Sequence, residues 1–384
     1  MGLLLPITPV PLILTRVAFT SLPGWQTGNA AVALAAFRRS CTGLLRLPPD
    51  KPMGGAGYAG TAGDWRSACK AISTQPGEAT ARKWFELTFA PFAVSAKPDR
   101  TAVFTGYYEP EIRASRTRHG NYATPIYGTP RDLITANLGV FRRDLAGIRV
   151  SGHVVQQQFV PFPARAEIDS AGLGDAEVLL YANDPIGVFF LHIQGSGRAR
   201  LDDGSMLRLA YAGQNGRPYT PIGRALIAKG DIDREHMSMQ AIRIWLANHA
   251  RNARALMESD ESYVFFRELP IGDPRLGSPG TEGVPLTPEA SIAVDPAFHA
   301  LGIPMYVVAQ APADDAHGQS FRFAHLCVAQ DTGGAIKGGA RADIFWGFGA
   351  RAESIAGRMK SGGNLYVLLP NSLAARIGPS FQAR

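Results

Sequence analysis

Glycine and proline punctuate this 384-residue chain throughout: 42 Gly and 28 Pro leave little room for a helical bundle. Glycine reaches backbone conformations closed to other residues and proline lacks a ladder N–H, so this density favours short strands joined by tight turns. The expected fold class is mainly β with several helices. The length allows two domains. Hydrophobic residues at 46% and a mean hydropathy of -0.03 are those of a globular chain and exclude a fibre or a disordered tail.

Helical periodicity is confined to a few segments. Residues 28–46 carry it, as do 79–90, where Trp84 and Leu87 are three apart, Phe85 and Phe89 four apart, and Pro91 ends the run. From 101 the pattern changes to short β-like runs: AVFTGYYEPEI, NYATPIYG, VVQQQFVPF, GVFFLHIQGSG and SMLRLAYAG. Asp202-Asp203-Gly204 reads as a hairpin turn between two strands. One helix is expected over about 233–258, with Met239, Ile242, Leu246 and Ala250 as a core-facing stripe. SYVFFREL, SIAVDPA, PMYVVAQ and FRFAHLCVAQ then read as strands, with a Gly/Pro-rich loop at 271–283. GARAESIAGRMKSGG reads as a short helix and NLYVLLP as a final strand. No period of 20 to 50 residues recurs, which excludes a solenoid or propeller.

The charge balance, 39 Lys+Arg against 32 Asp+Glu, favours an anionic partner. The basic residues are scattered, however, and Arg113, Arg116, Arg118 and His119 form the densest cluster, so nucleic-acid binding has no motif behind it. Cys41, Cys69 and Cys327 lack metal-ligand spacing, and no metal or cofactor is expected. An odd count leaves at least one thiol free; Cys41 and Cys69 could pair in an oxidising compartment, and Cys327 packs most simply in the core. The first nineteen residues are apolar but lack a basic start and contain Pro6, Pro9 and Pro11, so they are not expected to span a membrane or act as an intact export signal.

Chemistry concentrates at residues 327–349, CVAQDTGGAIKGGARADIFWGFG, where Asp331 and Asp343 flank a glycine-rich turn after an apolar run. Gly333, Gly334, Gly338 and Gly339 allow close approach of backbone to a ligand, and carboxylates on such a loop mark a site. Asp-Thr-Gly-Gly equally suits a tight turn in which Asp331 only accepts backbone N–H groups. Asp343 precedes Ile344, Phe345 and Trp346, so a half-buried strand would desolvate its carboxyl and raise its pKa. Asp331, solvated by amides, is expected to move the other way, giving the separated pair that acid/base chemistry needs. Asp343 is therefore the expected proton donor.

Laid out in order, FTGYYEP (104–110), RAEID (165–169), IQGSGR (193–198), YAGQNGRPYTPIGRALIAKGDI (211–232), MSMQAIRIWL (237–246), SYVFFREL, GVPLTPEASIAVD (283–295) and DTGGAIKGGARADIFWG resemble the membrane-bound lytic murein transglycosylase A family over most of the chain. The C-terminal part resembles its three-aspartate domain, with Asp295, Asp331 and Asp343 as the acidic residues. The resemblance implies a double-psi β-barrel built from 1–109 and 271–384, a second β-domain inserted at 110–270, and a groove between them. It implies cleavage of the MurNAc-GlcNAc bond of peptidoglycan without water, leaving 1,6-anhydro ends, with the acid/base role on Asp343.

On that resemblance, Thr105, Tyr107, Tyr108, Gln194, Gly195, Ser196, Asn215, Asp295 and Lys337 are the expected substrate-binding residues, although each also has a structural reading. Tyr107 and Tyr108 alternate on a strand, so one is expected to face the core and the other the groove. Glycan strands are the expected partner, with cell-wall enzyme complexes as a further possibility; a monomer in the periplasm or at the outer membrane is implied. Family members are usually lipoproteins, and this sequence offers no lipid-bearing cysteine. Two other functions fit the same residues: an inverting glycan hydrolase with Asp343 as acid and Asp331 as base, and a wall-binding module without catalysis.

Overall fold

A computed structural model describes residues 12–72, 77–96, 101–145, 148–174, 176–314 and 319–383. The chain divides into two compact units, one of residues 1–108 and 275–384, the other of 109–274. Most of the apolar N-terminal run, residues 1–11, lies outside the described residues. Among the described residues no helix is long and apolar enough to cross a membrane.

In chain order the first unit begins with β1 (Leu12–Arg16), α1 (Ala30–Leu44), α2 (Ala62–Lys70), α3 (Glu78–Thr88), β2 (Phe89–Ala96) and β3 (Ala102–Glu109). The helices pack through aromatic rings: Phe37 of α1 lies 6.3 Å from Trp65, 6.1 Å from Trp84 and 5.7 Å from Phe89, centroid to centroid. The N–H groups left without helical partners at the start of α1 are satisfied from α3, whose Glu78 carboxylate accepts Ala30 N–H (2.7 Å) and Ala31 N–H (2.9 Å). Cys41 and Cys69 form a disulfide between α1 and α2, and Cys327 is buried and free.

The second unit holds β4 (Glu111–Ser115), β5 (Thr124–Tyr127), β6 (Ile134–Asn137), β7 (Arg149–Val155), β8 (Gln158–Pro161), α4 (Arg165–Ala171), β9 (Val178–Ala182), α5 (Pro185–Gln194), β10 (Gly197–Leu201), β11 (Met206–Gln214), α6 (Gly223–Lys229), α7 (Met239–Asn248), α8 (Ala250–Glu258) and β12 (Val264–Leu269). Its main sheet runs β12-β11-β10-β4-β9-β5, and β6-β7-β8 form a small sheet of their own. One face of the main sheet carries Ile112, Leu180, Leu209 and Phe266; Phe189, Ile222, Leu226 and Leu246 form a second cluster among the helices. Glu109 is buried with Arg198 Nε at 2.8 Å and Arg208 Nε at 3.0 Å.

The chain then returns to the first unit with β13 (Ser291–Val294), β14 (Pro304–Pro312), β15 (Ser320–Thr332), β16 (Arg341–Phe348), α9 (Gly349–Arg358), β17 (Lys360–Pro370), α10 (Asn371–Ile377) and β18 (Ser380–Gln382). Strands β14-β15-β13-β16-β3-β17 follow one another, and β17 pairs back with β14, so six strands close into a barrel. Closure removes the free edges that an open sheet would leave. All four residues of β13 are buried, and hence its SIAV shows no alternation of apolar with charged or exposed residues.

Several expectations change here. The run GVFFLHIQGSG is a helix followed by a turn rather than a strand. Asp184 accepts Ile186 N–H at 2.9 Å, Pro185 opens the helix, and Gly195 ends it at φ +75°. The helix is buried over Gly187–His192, and this all-round burial hides its 3.6 period. The single helix expected at 233–258 is two: His249 leaves helical geometry, stacks on Trp245 at 4.4 Å and donates to its carbonyl. VVQQQFVPF is the β7–β8 hairpin, turning at Gln156 (φ 47°) and Gln157 (φ 66°). AVFTGYYEPEI breaks at Pro110 into β3 and β4, α4, α6 and β1 are additional elements, and NLYVLLP is not the last strand because α10 and β18 follow. The Asp202–Asp203–Gly204 turn does join β10 to β11.

Candidate active site

Three barrel strands bring the two carboxylates together. Ala293, in the middle of β13, pairs with Asp331 of β15 on one side and with Asp343 of β16 on the other. The β13–β15 register shifts between Ile292 and Ala293, an irregularity of the kind that re-aims a side chain. On β3, the two-residue strand period places Thr105 and Tyr107 on one face. Thr105 Oγ1 donates to Asp343 Oδ1 at 2.7 Å, and Tyr107 OH donates to Asp331 Oδ2 at 3.0 Å. Tyr108 faces the other way and is 2% exposed.

Gly106 lets β3 come this close: a Cβ there would lie 2.6 Å from the Trp346 ring and 2.9 Å from Ala356 Cα. Any side chain would push β3 outward and lengthen both carboxylate contacts.

Asp343 sits between Ala342 and Ile344, neither of which is exposed. Burial raises its pKa to about 6, while the Thr105 hydroxyl and the nearby Arg341 charge pull it down and Asp331 pushes it further up. Arg341 Nη2 donates to Thr105 Oγ1 at 2.8 Å, making a relay from guanidinium through hydroxyl to carboxyl. Arg341 itself loses some basicity to burial.

Asp331 differs from the sequence expectation. It does accept amides, but from Thr281 (2.9 Å) and Thr332 (2.9 Å) rather than from the glycines, and also takes the Thr281 hydroxyl at 2.9 Å. Its pKa is nevertheless raised, because desolvation outweighs those donors and Tyr107. The pair is therefore not pushed apart in opposite directions. Half-buried Tyr107 is held well above its ordinary pKa by desolvation and by the charges of Asp331 and Asp343, and stays a hydrogen-bond donor. Gly280 has a comparable role to Gly106: a Cβ there would meet Gln330 O at 2.5 Å, so glycine lets the 277–286 loop reach β15 with Thr281.

Asp295 is buried and accepts Ala297 N–H at 3.1 Å and Gly338 N–H at 2.8 Å. It tethers the glycine-rich loop, where Gly338 takes φ +101° and Lys337 is exposed. Gln194, Gly195 and Ser196 belong to the other unit, half-buried at the end of α5. Asn215 is fully buried there. Its amide hydrogens go to Pro163 O (2.9 Å) and Glu261 O (2.8 Å), and its oxygen accepts Tyr263 N–H (2.9 Å) and Arg217 N–H (3.3 Å). The amide hydrogens of Asn215 are thereby committed to the backbone, which makes it a brace for the chain rather than a sugar contact.

Sequence reasoning missed Arg341 and Thr281. Arg341 had a signal, two residues before Asp343 on one strand and so on the same face. Thr281 had none, being brought in across fifty residues.

Among the described residues no group of His, Cys, Asp and Glu has the arrangement of a metal site. Chemically, a half-buried carboxyl with a pKa of about 6, a hydroxyl on one oxygen and a second half-buried carboxyl nearby can give and take one proton near neutral pH.

Comparison with known proteins gives two family matches: an MltA specific insert domain over residues 103–267 and a 3D domain over 290–369. Membrane-bound lytic murein transglycosylase A of Escherichia coli K12 is 36% identical over 270 residues, covering 69% of this chain and 65% of that protein. The match thus spans just under two thirds of that relative's length. The crystal structure of a membrane-bound lytic murein transglycosylase from Agrobacterium tumefaciens superposes with a TM-score of 0.82 at 31% identity, covering 95% of this chain and 99% of the other. E. coli MltA with bound chitohexaose superposes with a TM-score of 0.64 at 27% identity, covering 94% of each chain.

Proposed function

Because the chain belongs to the membrane-bound lytic murein transglycosylase A family, we propose that it is a lytic transglycosylase, cleaving the MurNAc-GlcNAc β-1,4 bond of peptidoglycan and leaving 1,6-anhydro-MurNAc ends. The observation that carries the mechanism is the Asp343 carboxyl, half-buried in the barrel with a pKa of about 6 and held by Thr105 at 2.7 Å. Protonated, Asp343 gives its proton to the glycosidic oxygen as the C1–O bond breaks. The carboxylate so formed takes the proton of the C6 hydroxyl as O6 bonds to C1, which closes the anhydro ring and restores the acid. No water is consumed and no second base is required, unlike an inverting hydrolase with carboxyls roughly 6.5–9.5 Å apart.

In this reading Asp331 keeps Tyr107 in place and its charge keeps the Asp343 pKa high, while Asp295 shapes the loop that presents Lys337. In the barrel unit Tyr107 offers an aromatic face to a sugar, while Tyr108 belongs to the core; in the other unit Gln194, Gly195 and Ser196 offer polar groups. Occupied oxygens count against Asp331 as a hydrolytic base: Oδ1 already accepts three donors and Oδ2 one. We assign the six-strand barrel, with its parallel β13–β15 contact, to the double-psi type, and the 109–274 unit to the inserted domain. The Cys41–Cys69 disulfide suits an oxidising periplasmic location.

Mass spectrometry of products from purified peptidoglycan, with Asp343→Ala as control, tests the proposal. Muropeptides one water lighter than hydrolytic products, absent with the variant, are expected. Full-mass reducing ends would establish a hydrolase, and binding without products a wall-binding module.

A further inference from the structure

The RAEID motif has no part in the chemistry above, yet it builds the wall of a separate cavity. The 109–274 unit holds a half-open cavity of about 720 Å³, between α4, α5, α7, α8 and strands β5 and β9. That is within the roughly 300–1,000 Å³ of small-ligand pockets. All its lining residues belong to this one unit, and none is among the barrel residues described above.

Its floor is rigid. Arg165, 3% exposed, donates to the carbonyls of Asp260 and Ser262 and to His192 Nδ1 at 2.9 Å, and its guanidinium lies 4.9 Å from the Phe189 ring and 5.1 Å from the Tyr263 ring. Because Nδ1 accepts from a guanidinium, the His192 proton is on Nε2. That buried N–H has no acceptor among the described residues, on a side chain 5% exposed. Burial and the adjacent Arg165 charge keep His192 neutral.

The lining chemistry narrows the ligand. Arg165 is spent on the floor, with the buried Asp260 carboxylate 3.9 Å away, so the charges open to a ligand are Arg118 and Arg254 against one carboxylate, Asp169, which lies one turn after Arg165 on α4. Arg254, steadied by Glu258 at 2.6 Å, and Arg118 are exposed. Ile168, Ile186, Val188 and Leu246 supply an aliphatic wall, beside the rings of Tyr127, Tyr181, Phe189 and Tyr263. A neutral sugar ring could accept from the two open arginines through its hydroxyls, but it would leave their charge uncompensated and lose hydration against the aliphatic side chains. A short peptide offers carboxylates for the arginines, an amino group for Asp169, carbonyl acceptors for donors, and methyl or methylene groups for the wall.

We propose that this cavity is a second binding site, which takes the carboxylate-bearing peptide side arms of peptidoglycan rather than its glycan. The choice of peptide source rests on the function proposed above; the ligand chemistry rests on the cavity. Binding at this site would hold the wall polymer by its peptides while the barrel acts on its sugars.

Calorimetric titration of the full chain with a sugar-free stem tetrapeptide tests this without turnover. Binding with a Kd below about 1 mM is expected, weakened by roughly tenfold or more in Ala250→Trp, which crowds the cavity at an exposed lining position, and in Arg118→Glu. Asp343→Asn should bind the peptide as the unmodified chain does, and a peptide-free glycan oligomer should not displace it. No peptide binding, binding unaffected by both cavity variants, or displacement by the glycan would overturn the inference. A chain that binds peptide through the cavity but releases no anhydro product would instead overturn the proposed function and leave the cavity assignment standing.

Discussion

Asp331 and Asp343 are the two register partners of one residue, Ala293, and each is bonded by a different side chain of β3, Tyr107 for the first and Thr105 for the second. The carboxyls therefore share one field, and altering one titrates the other.

Replacing Asp343 separates chemistry from stability. Asp343→Asn is expected to lower turnover by roughly 10²–10⁴-fold, the usual worth of a general acid/base. Stability moves the opposite way with pH. The folded pKa of about 6 lies above the ordinary aspartate value of 3.8, so protonation stabilises the native chain below about pH 4 and that contribution is lost as pH rises through 6. The gap corresponds to about 3 kcal/mol. Asp343→Asn should thus gain stability relative to the unmodified chain between pH 4 and 7, as read by urea denaturation. A gain that does not grow with pH would contradict the raised pKa.

Thr105→Val removes a donor that favours the Asp343 carboxylate. The Asp343 pKa should rise, and the high-pH fall of kcat/KM, which reports loss of the acid's proton in the free enzyme, should move to higher pH. Rate profiles between pH 4 and 9 would show it. A profile shifted downward would mean that the hydroxyl does not act on this carboxyl.

Asp331→Asn acts in the reverse sense. It removes a charge that raises the Asp343 pKa, so the same fall should move to lower pH while activity is reduced rather than abolished. Complete loss of turnover in this variant, with Asp343→Asn still active, would transfer the proton-donor role to Asp331.

Glu109→Ala should destabilise the chain by about 3–5 kcal/mol, because it leaves Arg198 and Arg208 buried without their shared carboxylate. Chemical denaturation measures this directly. A change under about 1 kcal/mol would mean that solvent or other groups compensate both guanidiniums.

Loss of the Cys41–Cys69 disulfide in a double Ser variant should cost about 3–4 kcal/mol, from the chain entropy released when a closed loop of 28 residues opens. Thermal denaturation of the oxidised chain and the variant would give the difference.

Much of the site was legible in one dimension. Asp343 next to Ile344, Phe345 and Trp346 announced a desolvated carboxyl, the alternation of Tyr107 and Tyr108 separated a site tyrosine from a core one, and the order of motifs carried the family. These are properties of neighbours along a strand, fixed by its period of two. Helix α5 escaped because burial on every side erased the polar stripe that marks a helix. The raised pKa of Asp331 also escaped. That amides would reach it was foreseeable, whereas their source in Thr281 and Thr332 and the extent of its desolvation were not, because both follow from barrel closure and from a loop that Gly280 lets down onto β15. Thr281 on Asp331, Arg341 on Thr105 and the pairing of both aspartates with Ala293 arise from strands far apart in the chain. Local residue order sets which groups can do chemistry; the depth at which they are buried, and the partners that tune them, exist once the barrel has closed, since desolvation and long-range pairing are properties of the packed chain.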